Sequence, residues 1–418
     1  MIDPRARGTL QKMRSPRFPL TLACFVLSSA LGACAGGTAE VYCAAIGDEV
    51  LPELELVAFA SQVDCTEGAG WTAQVERLED ELSVEVGRSS SFEVPLLRAR
   101  AGGLVAFVDD ELLGLDRSGE VEWRTPYTDG LRLEHGTFAV GGDDRIYISD
   151  TFGQDAKIVV FEGSTGVQVR QFLIEHSDQG GFPPVLAPRG EQLWLTRVTG
   201  ESGFEGFYVS SYLERYSFEG QVESSLEFEH GEFEHPAQMV WTEDGQLAVV
   251  SWGSVYMLDP DSGAQSWQFA DTPEFDFVQW RAITATADAV VTAHGRRSND
   301  GGPNTWVIAA YEQGSGTQLW TREFAGSGQG QELGLTTLAS GEIAFVGGEF
   351  WGPDQSQPMI VILDGSGEPV AGERLAVEGA GSSVVADAGK MFVLGGTGTT
   401  ETWQADYERI YWLRRYAQ

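Results

Sequence analysis

Residues 255–269 read VYMLDPDSGAQSWQF, which is an apolar run, a turn and a second run that closes on a tryptophan. Alternate side chains of a strand face opposite sides of a sheet, and Asp, Ser and Gly favour the backbone conformations of a tight turn. The stretch therefore predicts a β-hairpin. Its meaning for the whole fold depends on how often the pattern returns along the chain.

The pattern returns at regular intervals when the hairpins are aligned on their turn glycine. The aligned glycines stand 43 to 54 residues apart and are Gly119, Gly166, Gly220, Gly263, Gly316 and Gly367. A second hairpin lies ahead of each one, as in MVWTEDGQLAVV at 239–250. Each unit thus contains four short strands. The first unit begins near Pro95 and contains Gly119, and a last unit after Gly367, which has no aligned glycine, brings the number of units to seven.

Units of this length, with four strands each, predict an all-β fold, a seven-bladed β-propeller with four-stranded antiparallel blades over residues 81–418. The last unit ends at IYWLRRYAQ (410–418) and lacks an outer strand. Either ELSVEV (81–86) or SSFEV (90–94) is expected to supply it, because pairing the N- and C-terminal strands closes the ring and removes exposed edges. Residues 34–80 are interpreted as a stalk or cap, and the alternative is that they contain part of an eighth blade.

The N-terminus has the features of a secretion signal. A basic leader precedes the apolar run LTLACFVLSSAL at 20–31, which is too short to span a bilayer. The run ends in LGAC (31–34), which resembles the bacterial lipobox and implies a signal peptide over 1–33 and a lipid on Cys34. Ala35 follows, and this resemblance implies the outer membrane. The alternative is an ordinary cleavage site with an incidental cysteine.

Two further cysteines remain outside the leader and the lipid site. In an exported chain Cys43 and Cys65 most simply form one disulfide, which would staple the stalk or cap segment. The absence of a CxxC motif argues against a redox pair.

The formal net charge is −35, and removal of the basic leader would make the mature chain more acidic still. Such a charge predicts that nucleic acids and anionic membrane surfaces are poor partners, so membrane contact would come through the lipid alone. Outside the leader, Lys157 and Lys390 are the only lysines. The acidic excess is interpreted as a solvated surface, and calcium sites are the alternative.

The repeated units resemble bacterial propellers of the quinoprotein-like and deltaproteobacterial repeat kind, in which LD..G..LW hairpins alternate with G..V...G.IYV.G hairpins. The resemblance covers residues 92–416 and is clearest over 310–350. Repeats of this kind indicate the fold and leave the function open.

Enzyme classes on this architecture can be compared with the chain. Sialidase-like propellers carry Asp boxes with Gly-x-Thr-Trp, whereas this chain has Gly-x-x-x-Trp, as in Gly119–Trp123, and this counts against a sialidase. Quinone-dependent dehydrogenases resemble the chain in the Gly-x-x-x-Trp feature, where the tryptophan packs between blades. They often have an adjacent cysteine pair, and this chain has none. The lipid anchor and repeat also resemble outer-membrane assembly scaffold lipoproteins, which bind a partner.

Long connections between second and third strands share one side of a propeller with the connections between blades, and we call this side the loop face. The opposite side, with the short turns, is the turn face. Function tends to lie where loops are long. Four such loops are predicted, at 199–211, 294–305, 349–358 and 397–408. The predicted binding residues on them are Tyr208, Arg296, Trp351 and Trp403, because aromatic and Arg side chains dominate recognition surfaces.

Histidines next to acids suggest a second kind of site on the loop face. His135, His235 and Glu332 align near the channel mouth in three blades, where imidazole and carboxylate groups could bind zinc or act as acid and base. DPDSG (259–263) and SNDGGPN (298–304) could hold calcium, but turns need the same residue types, and the turn interpretation is favoured.

The sequence thus predicts a lipid-anchored propeller outside the cytoplasm that acts as a non-catalytic binding or assembly scaffold through its loop face. A protein partner at the cell envelope and no resident cofactor are expected. One alternative is a hydrolase or lyase that uses the His and carboxylate groups at the channel mouth, with or without a metal ion. Another is a calcium-dependent glycan binder that stacks sugars on Trp351 or Trp403.

Overall fold

The structure is a computed structural model that describes residues 45–46, 49–50, 76–77, 80–89, 96–108, 110–127, 137–152, 155–175, 183–203, 206–228, 236–251, 254–270, 281–296, 305–325, 333–352, 355–374, 379–397 and 409–417. Contacts divide the chain into two units, Met1–Tyr42 and Cys43–Gln418. The predicted signal peptide, lipid site Cys34 and disulfide cysteines Cys43 and Cys65 lie outside the described residues. Within these ranges no helix is long and apolar enough to cross a membrane.

Four short segments precede the repeated units. β1 (Ala45–Ile46) and β2 (Glu49–Val50) form a two-stranded antiparallel sheet. β3 (Glu76–Arg77) and β4 (Asp80–Ser89) each join a sheet made later in the chain.

The first three blades follow in chain order. Blade 1 contains β5 (Leu96–Arg100), β6 (Gly103–Val108), β7 (Glu111–Asp116) and β8 (Val121–Pro126). Blade 2 contains β9 (Phe138–Val140), β10 (Arg145–Phe152), β11 (Asp155–Glu162) and β12 (Gln168–Glu175). Blade 3 contains β13 (Val185–Arg189), β14 (Gln192–Gly203), β15 (Gly206–Ser217) and β16 (Val222–Phe228).

The other four blades complete the ring. Blade 4 contains β17 (Pro236–Trp241), β18 (Leu247–Ser251), β19 (Ser254–Leu258) and β20 (Gln265–Ala270). Blade 5 contains β21 (Arg281–Ala285), β22 (Ala289–Arg296), β23 (Thr305–Glu312) and β24 (Gln318–Ala325). Blade 6 contains β25 (Leu333–Thr337), β26 (Ile343–Gly352), β27 (Gln355–Leu363) and β28 (Pro369–Arg374). Blade 7 contains β29 (Gly379–Asp387), β30 (Lys390–Thr397), β31 (Arg409–Ala417) and β4.

The predicted seven-bladed β-propeller is confirmed. The four strands of every blade are antiparallel, and the innermost strands of successive blades contact one another around the whole ring, from β5 through β29 and back to β5. Among the described residues there are seven blades and no α-helix, and β3 adds a fifth strand to blade 6 by pairing in parallel with β28. The six aligned turn glycines all have positive φ, as their use for the alignment required.

The predicted closure by the first and last strands is also confirmed. β4 pairs with β31 in antiparallel fashion, with Val84 opposite Leu413. Val86 is buried while Ser83 and Glu85 are exposed, so the strand has the alternation of a sheet with one covered face. ELSVEV is therefore the closing segment, and SSFEV lies outside the described residues.

The seam between blades 7 and 1 is joined by side chains as well as by packing. The backbone N–H of Leu97 donates to Ser383 Oγ at 3.1 Å, and the Ser383 hydroxyl donates to the Leu97 carbonyl at 3.2 Å. On the turn face, Arg117 Nε donates to Asp387 Oδ2 at 2.5 Å. The first complete blade is thus bound to the last one although they are far apart in sequence.

The hydrophobic core is divided among the gaps between blades. Within the described ranges seven apolar clusters occur, and each draws its members from two neighbouring blades. Between blades 5 and 6, for example, the Trp306 and Phe345 rings lie 6.1 Å apart and are both fully buried. Because a four-stranded blade is apolar on both faces, it can exclude water only by packing between two others.

The tryptophans of the Gly-x-x-x-Trp feature join successive blades on the turn face. Trp123 Nε1 of blade 1 donates to the Gly163 carbonyl of blade 2 at 3.1 Å, and its ring covers Gly166 so closely that an added Cβ would lie 2.3 Å from it. Trp267 and Trp320 make the same contacts with the turns of blades 5 and 6. The tryptophan packs between blades, as the resemblance implied.

The DPDSG sequence forms a turn in which the first carboxylate, that of Asp259, accepts hydrogen bonds from the turn itself. Asp259 Oδ1 accepts hydrogen bonds from the Ser262 N–H at 2.8 Å, the Ser262 hydroxyl at 2.9 Å and the Asp261 N–H at 3.0 Å. Asp116 and Asp364 accept equivalent bonds in blades 1 and 6. The turn interpretation of 259–263 thus has a complete set of contacts, and 298–304 lies outside the described residues.

These turn carboxylates make stability depend on pH. Hydrogen bonds from Ser262 hold the pKa of Asp259 below its ordinary value, and the Ser118 hydroxyl does the same for the pKa of Asp116. A depressed folded-state pKa stabilises the fold above the unfolded-state pKa, which is about 3.9 for Asp, and this contribution is lost as pH falls through the folded-state pKa. Asp259→Ala should therefore destabilise the protein at pH 7, by less than about 1 kcal/mol because the turn is exposed. Denaturant unfolding at neutral and acid pH measures this, and a difference from the parent that persists at acid pH contradicts it.

Candidate functional site

Among the described residues, the longest hairpins that reach the loop face are those of blades 3 and 6. In blade 3, β14 and β15 stay paired from Gln192–Ser217 to Gly203–Gly206, and in blade 6, β26 and β27 stay paired to Gly352–Gln355. The prediction that 199–211 and 349–358 are loops is therefore wrong, because most of these residues continue the strands. Their polar, glycine-containing sequences suggested loops, and only the pairing partner across the hairpin makes them strands.

The height of these hairpins is clear from the comparison with blade 4. β14 and β15 contain 12 residues each, whereas β18 and β19 contain five each. At about 3.3 Å per residue, the blade 3 hairpin extends on the order of 20 Å further. Within the described residues these are the two longest hairpins, and we call them projections; they lie three blades apart in a ring of seven.

The edges of both projections are open within the described part of the chain. In blade 3, β13 pairs with β14 only as far as Thr196, and β16 pairs with β15 only down to Ser211. In blade 6, β25 likewise pairs with β26 only as far as Gly347, and β28 pairs with β27 only down to Met359. Backbone N–H and C=O groups beyond these points are thus placed to hydrogen-bond to a strand or loop of another molecule.

The predicted binding residues fall on three different blades. Tyr208 is opposite Glu201 in the blade 3 hairpin, Arg296 is opposite Thr305 at the end of the blade 5 hairpin, and Trp351 lies at the irregularity near the tip of β26. Their backbones are at the loop-face ends of their strands, spread over the ring rather than gathered at one point. The fourth, Trp403, lies outside the described residues.

The predicted metal site residues His135, His235 and Glu332 all lie outside the described residues. In the part of the chain that the structure does describe, no three His, Cys, Asp or Glu side chains group closely enough to hold a metal ion. The histidine that is described, His294, is buried in β22 opposite Val307. The zinc and calcium alternatives therefore stay predictions.

A buried charged cluster lies below the loop face between blades 1 and 2, and sequence reasoning missed it. Lys157 and Asp150 are opposite each other on β11 and β10, with Nζ and Oδ2 3.7 Å apart and side chains only 5% and 1% exposed. Tyr127, just after β8, donates its hydroxyl to Asp150 Oδ2 at 3.3 Å, and Lys157 Nζ lies 5.8 Å from the centre of its ring. The available signal was a charged residue in each of two apolar strands.

A second feature is a groove of about 680 Å³ on the turn face, between blades 2 and 3. Arg145 stacks its guanidinium 3.6 Å from the centre of the Phe218 ring and donates from Nη1 to Asp143 Oδ2 at 2.9 Å. Three glutamates also line the groove and offset the charges of its two arginines; the lining residues are Arg145, Arg189, Gly190, Glu191, Gln192, Ser217, Phe218, Glu219 and Glu223.

The walls of this groove are held in place by aromatic residues. Arg189 stacks 4.6 Å from the centre of the Trp241 ring and donates from Nη1 to the Gly245 carbonyl at 3.2 Å. Tyr147 donates its hydroxyl to Asp143, and burial together with the charge of that carboxylate raises the pKa of Tyr147 to about 12. The tyrosine is thus protonated at neutral pH, and these contacts join blades 2, 3 and 4 without forming a site of one charge sign.

The fold and these features define the class of the protein as a seven-bladed β-propeller. No protein-family model matches the chain, and no curated protein matches it either. The chain is similar to solved propeller-containing structures at low identity. Quinohemoprotein alcohol dehydrogenase from Comamonas testosteroni matches with 11% identity and a TM-score of 0.44, over 76% of this chain and 66% of that one.

The extracellular domain of BT4673 from B. thetaiotaomicron matches with 12% identity and a TM-score of 0.45, over 80% of this chain and 39% of that one. This chain therefore spans less than two thirds of the length of either protein. At such identities the likeness concerns the fold alone.

Proposed function

We propose that this chain is a lipid-anchored propeller of the bacterial cell envelope that binds a protein partner through its loop face, as a scaffold and not as an enzyme. The observation that carries the proposal is the pair of tall hairpins on blades 3 and 6. Their open edges offer main-chain hydrogen bonds to a partner, and the closed ring beneath them holds them rigidly.

The anchor and the location rest on the sequence. The basic leader, the apolar run and the LGAC motif favour export and attachment of lipid at Cys34. The strongly acidic composition favours a partner with a basic surface, because opposite charge increases the rate of association and suppresses wrong partners.

The proposal is tested by site-specific photo-cross-linking in the envelope of cells that make the full chain. A photo-reactive amino acid at Tyr208 or Trp351 should cross-link to one and the same protein, because both hairpins face the same partner. The matched control is the same amino acid at Arg189, an exposed position on the turn face, which should give no such product. In the same experiment the Cys34→Ala protein, which lacks the lipid site, should no longer be found in the membrane fraction.

Other outcomes separate the alternatives. Equal cross-linking from Arg189, or none from either hairpin, contradicts the scaffold proposal. One equivalent of zinc in the purified protein, removed by His135→Ala or His235→Ala, would favour the hydrolase or lyase. Glycan binding that requires calcium and is lost in Trp351→Ala would favour the glycan binder.

A further inference from the structure

The outer strand of blade 2 has an exposed apolar surface. Val169 and Leu173 of β12 are 43% and 55% exposed, and Val167, at the turn before it, is 59% exposed. Among the described residues only six large hydrophobic side chains are exposed, and these three are half of them. These three residues are at positions 167, 169 and 173, and the odd-numbered position between the last two is Gln171, which is also exposed. Because alternate residues of a strand share a face, Val169, Gln171 and Leu173 form one stripe, and the β-bulge at Gln168–Arg170 separates Val167 from this regular alternation.

The backbone edge beside this stripe is open within the described residues. β12 is the last strand of blade 2 and pairs with β11 alone. Natural edge strands are usually protected by charges or by a covering segment. β16 carries two exposed glutamates and β28 is covered by β3, whereas the two charges of β12 cancel each other. β20 has no charge and the two charges of β24 also cancel, so β12 differs from them by its larger number of exposed apolar side chains.

The chain itself shows that an outer strand can receive another strand. β3 pairs in parallel with β28, with Glu76 opposite Ala371 and Arg77 opposite Gly372. Blade geometry at the rim therefore leaves room for an added strand.

The stripe is complementary to itself. In an antiparallel pair related by a two-fold axis, directly opposite residues point to the same face, so odd-numbered positions of β12 must meet odd-numbered positions. When the axis passes through Gln171, Val169 lies opposite Leu173 of a second copy, and this apolar pair occurs twice. This register places Val167 opposite Glu175, so Val167 gains no apolar counterpart. An axis through Arg170 would pair Val167 with Leu173 and Val169 with Gln171, but Val167 lies outside β12 and beyond the bulge at Gln168–Arg170. Axes through position 169 or 173 leave either Leu173 or Val169 without an apolar counterpart.

We propose that β12 is a self-association edge, at which two copies of this chain pair antiparallel about Gln171 to form one eight-stranded sheet across two blades. The interface is one strand wide and thus belongs to the small, reversible class. Each copy carries a large negative charge, so the pairing should strengthen as salt screens repulsion between the rims. The inference does not depend on the proposed function.

Cysteine cross-linking of the full chain in its membrane tests the register. Opposite residues of an antiparallel pair have Cα atoms about 4.5 to 5.5 Å apart, which is within disulfide range. Gln171→Cys should therefore give a covalent dimer on mild oxidation. Leu319→Cys is the matched control, because Leu319 is equally exposed, at 51%, on the outer strand of blade 5. The parent chain, oxidised in the same way, shows how much covalent dimer its own cysteines form.

Charge variants separate strand pairing from chance collision. In the Gln171→Cys chain, Val169→Lys or Leu173→Lys should lower the cross-linking yield at least tenfold, and Leu319→Lys should leave it unchanged. All three substitutions lie on exposed surface, so folding is retained and circular dichroism verifies it. Equal dimer yields from Gln171→Cys and Leu319→Cys, or equal effects of the three lysines, would overturn the proposal.

Discussion

Asp150→Ala is expected to lower the free energy of unfolding by about 3 to 5 kcal/mol, because it removes a buried carboxylate from beside the buried Lys157 ammonium. Both side chains are almost completely inaccessible, and the hydrogen bond from the Tyr127 hydroxyl to Asp150 is lost as well. Equilibrium unfolding in guanidinium chloride at neutral pH measures the loss.

Two comparisons establish the cause. Lys157→Met keeps much of the apolar stem and removes the charge, so the double variant Asp150→Ala/Lys157→Met should recover much of the loss. The matched control is the exposed ion pair between Arg124 and Glu111 in blade 1, at 3.0 Å, where Glu111→Ala should cost at most about 1 kcal/mol. Similar losses at the buried and the exposed pair would show that burial of charge is not the reason.

Gly316→Ala should destabilise the protein by about 2 to 5 kcal/mol through two separate effects. Gly316 has a φ of +69°, a conformation that costs a residue with a Cβ about 1 to 2 kcal/mol. The new Cβ would also lie 2.6 Å from the Trp267 ring of the preceding blade, and such overpacking costs about 1 to 3 kcal/mol. The ring cannot move freely, because its Nε1 donates to the Gln313 carbonyl.

Gly389 is the matched control for this substitution. Its φ is +72°, yet nothing lies within 4 Å of an added Cβ. Gly389→Ala should therefore show the conformational cost alone. Denaturant unfolding of both variants gives the contribution of blade docking as their difference, and that difference should vanish when Trp267→Ala is present. If Gly316→Ala and Gly389→Ala lower the stability equally in the chain that retains Trp267, the tryptophan ring moves to accommodate the new Cβ at no energetic cost.

Much of the fold could be predicted because a propeller repeats a local unit. The hairpin at 255–269 contains its own turn signal, and Gly263 has the positive φ that the alignment implied. Closure by either 81–86 or 90–94 was predicted from an unpaired strand at each end of the chain, and β4, which contains 81–86, does pair with β31. Such inferences succeed when the residues that decide a structure lie next to one another in sequence.

The candidate site was less accessible to the same reasoning. Residues 199–203 and 206–211 are strands because each half of the hairpin finds its partner in the other, although their composition is typical of a loop. Contacts of the predicted residues Tyr208, Arg296 and Trp351 stay predictions, as does the zinc site.

The sequence by itself determined the strand periodicity, the turn positions, the seven repeated units and the closure of the ring, because alternation and turn glycines act over a few residues. It left an eighth blade open. Only the tertiary structure decided which residues meet between blades. Asp150 meets Tyr127, Arg145 meets Phe218 and Trp267 meets Gly316 because the ring brings together strands from different blades. The physical reason is that contacts between blades depend on relative orientation, which a pattern with a period of two residues does not encode.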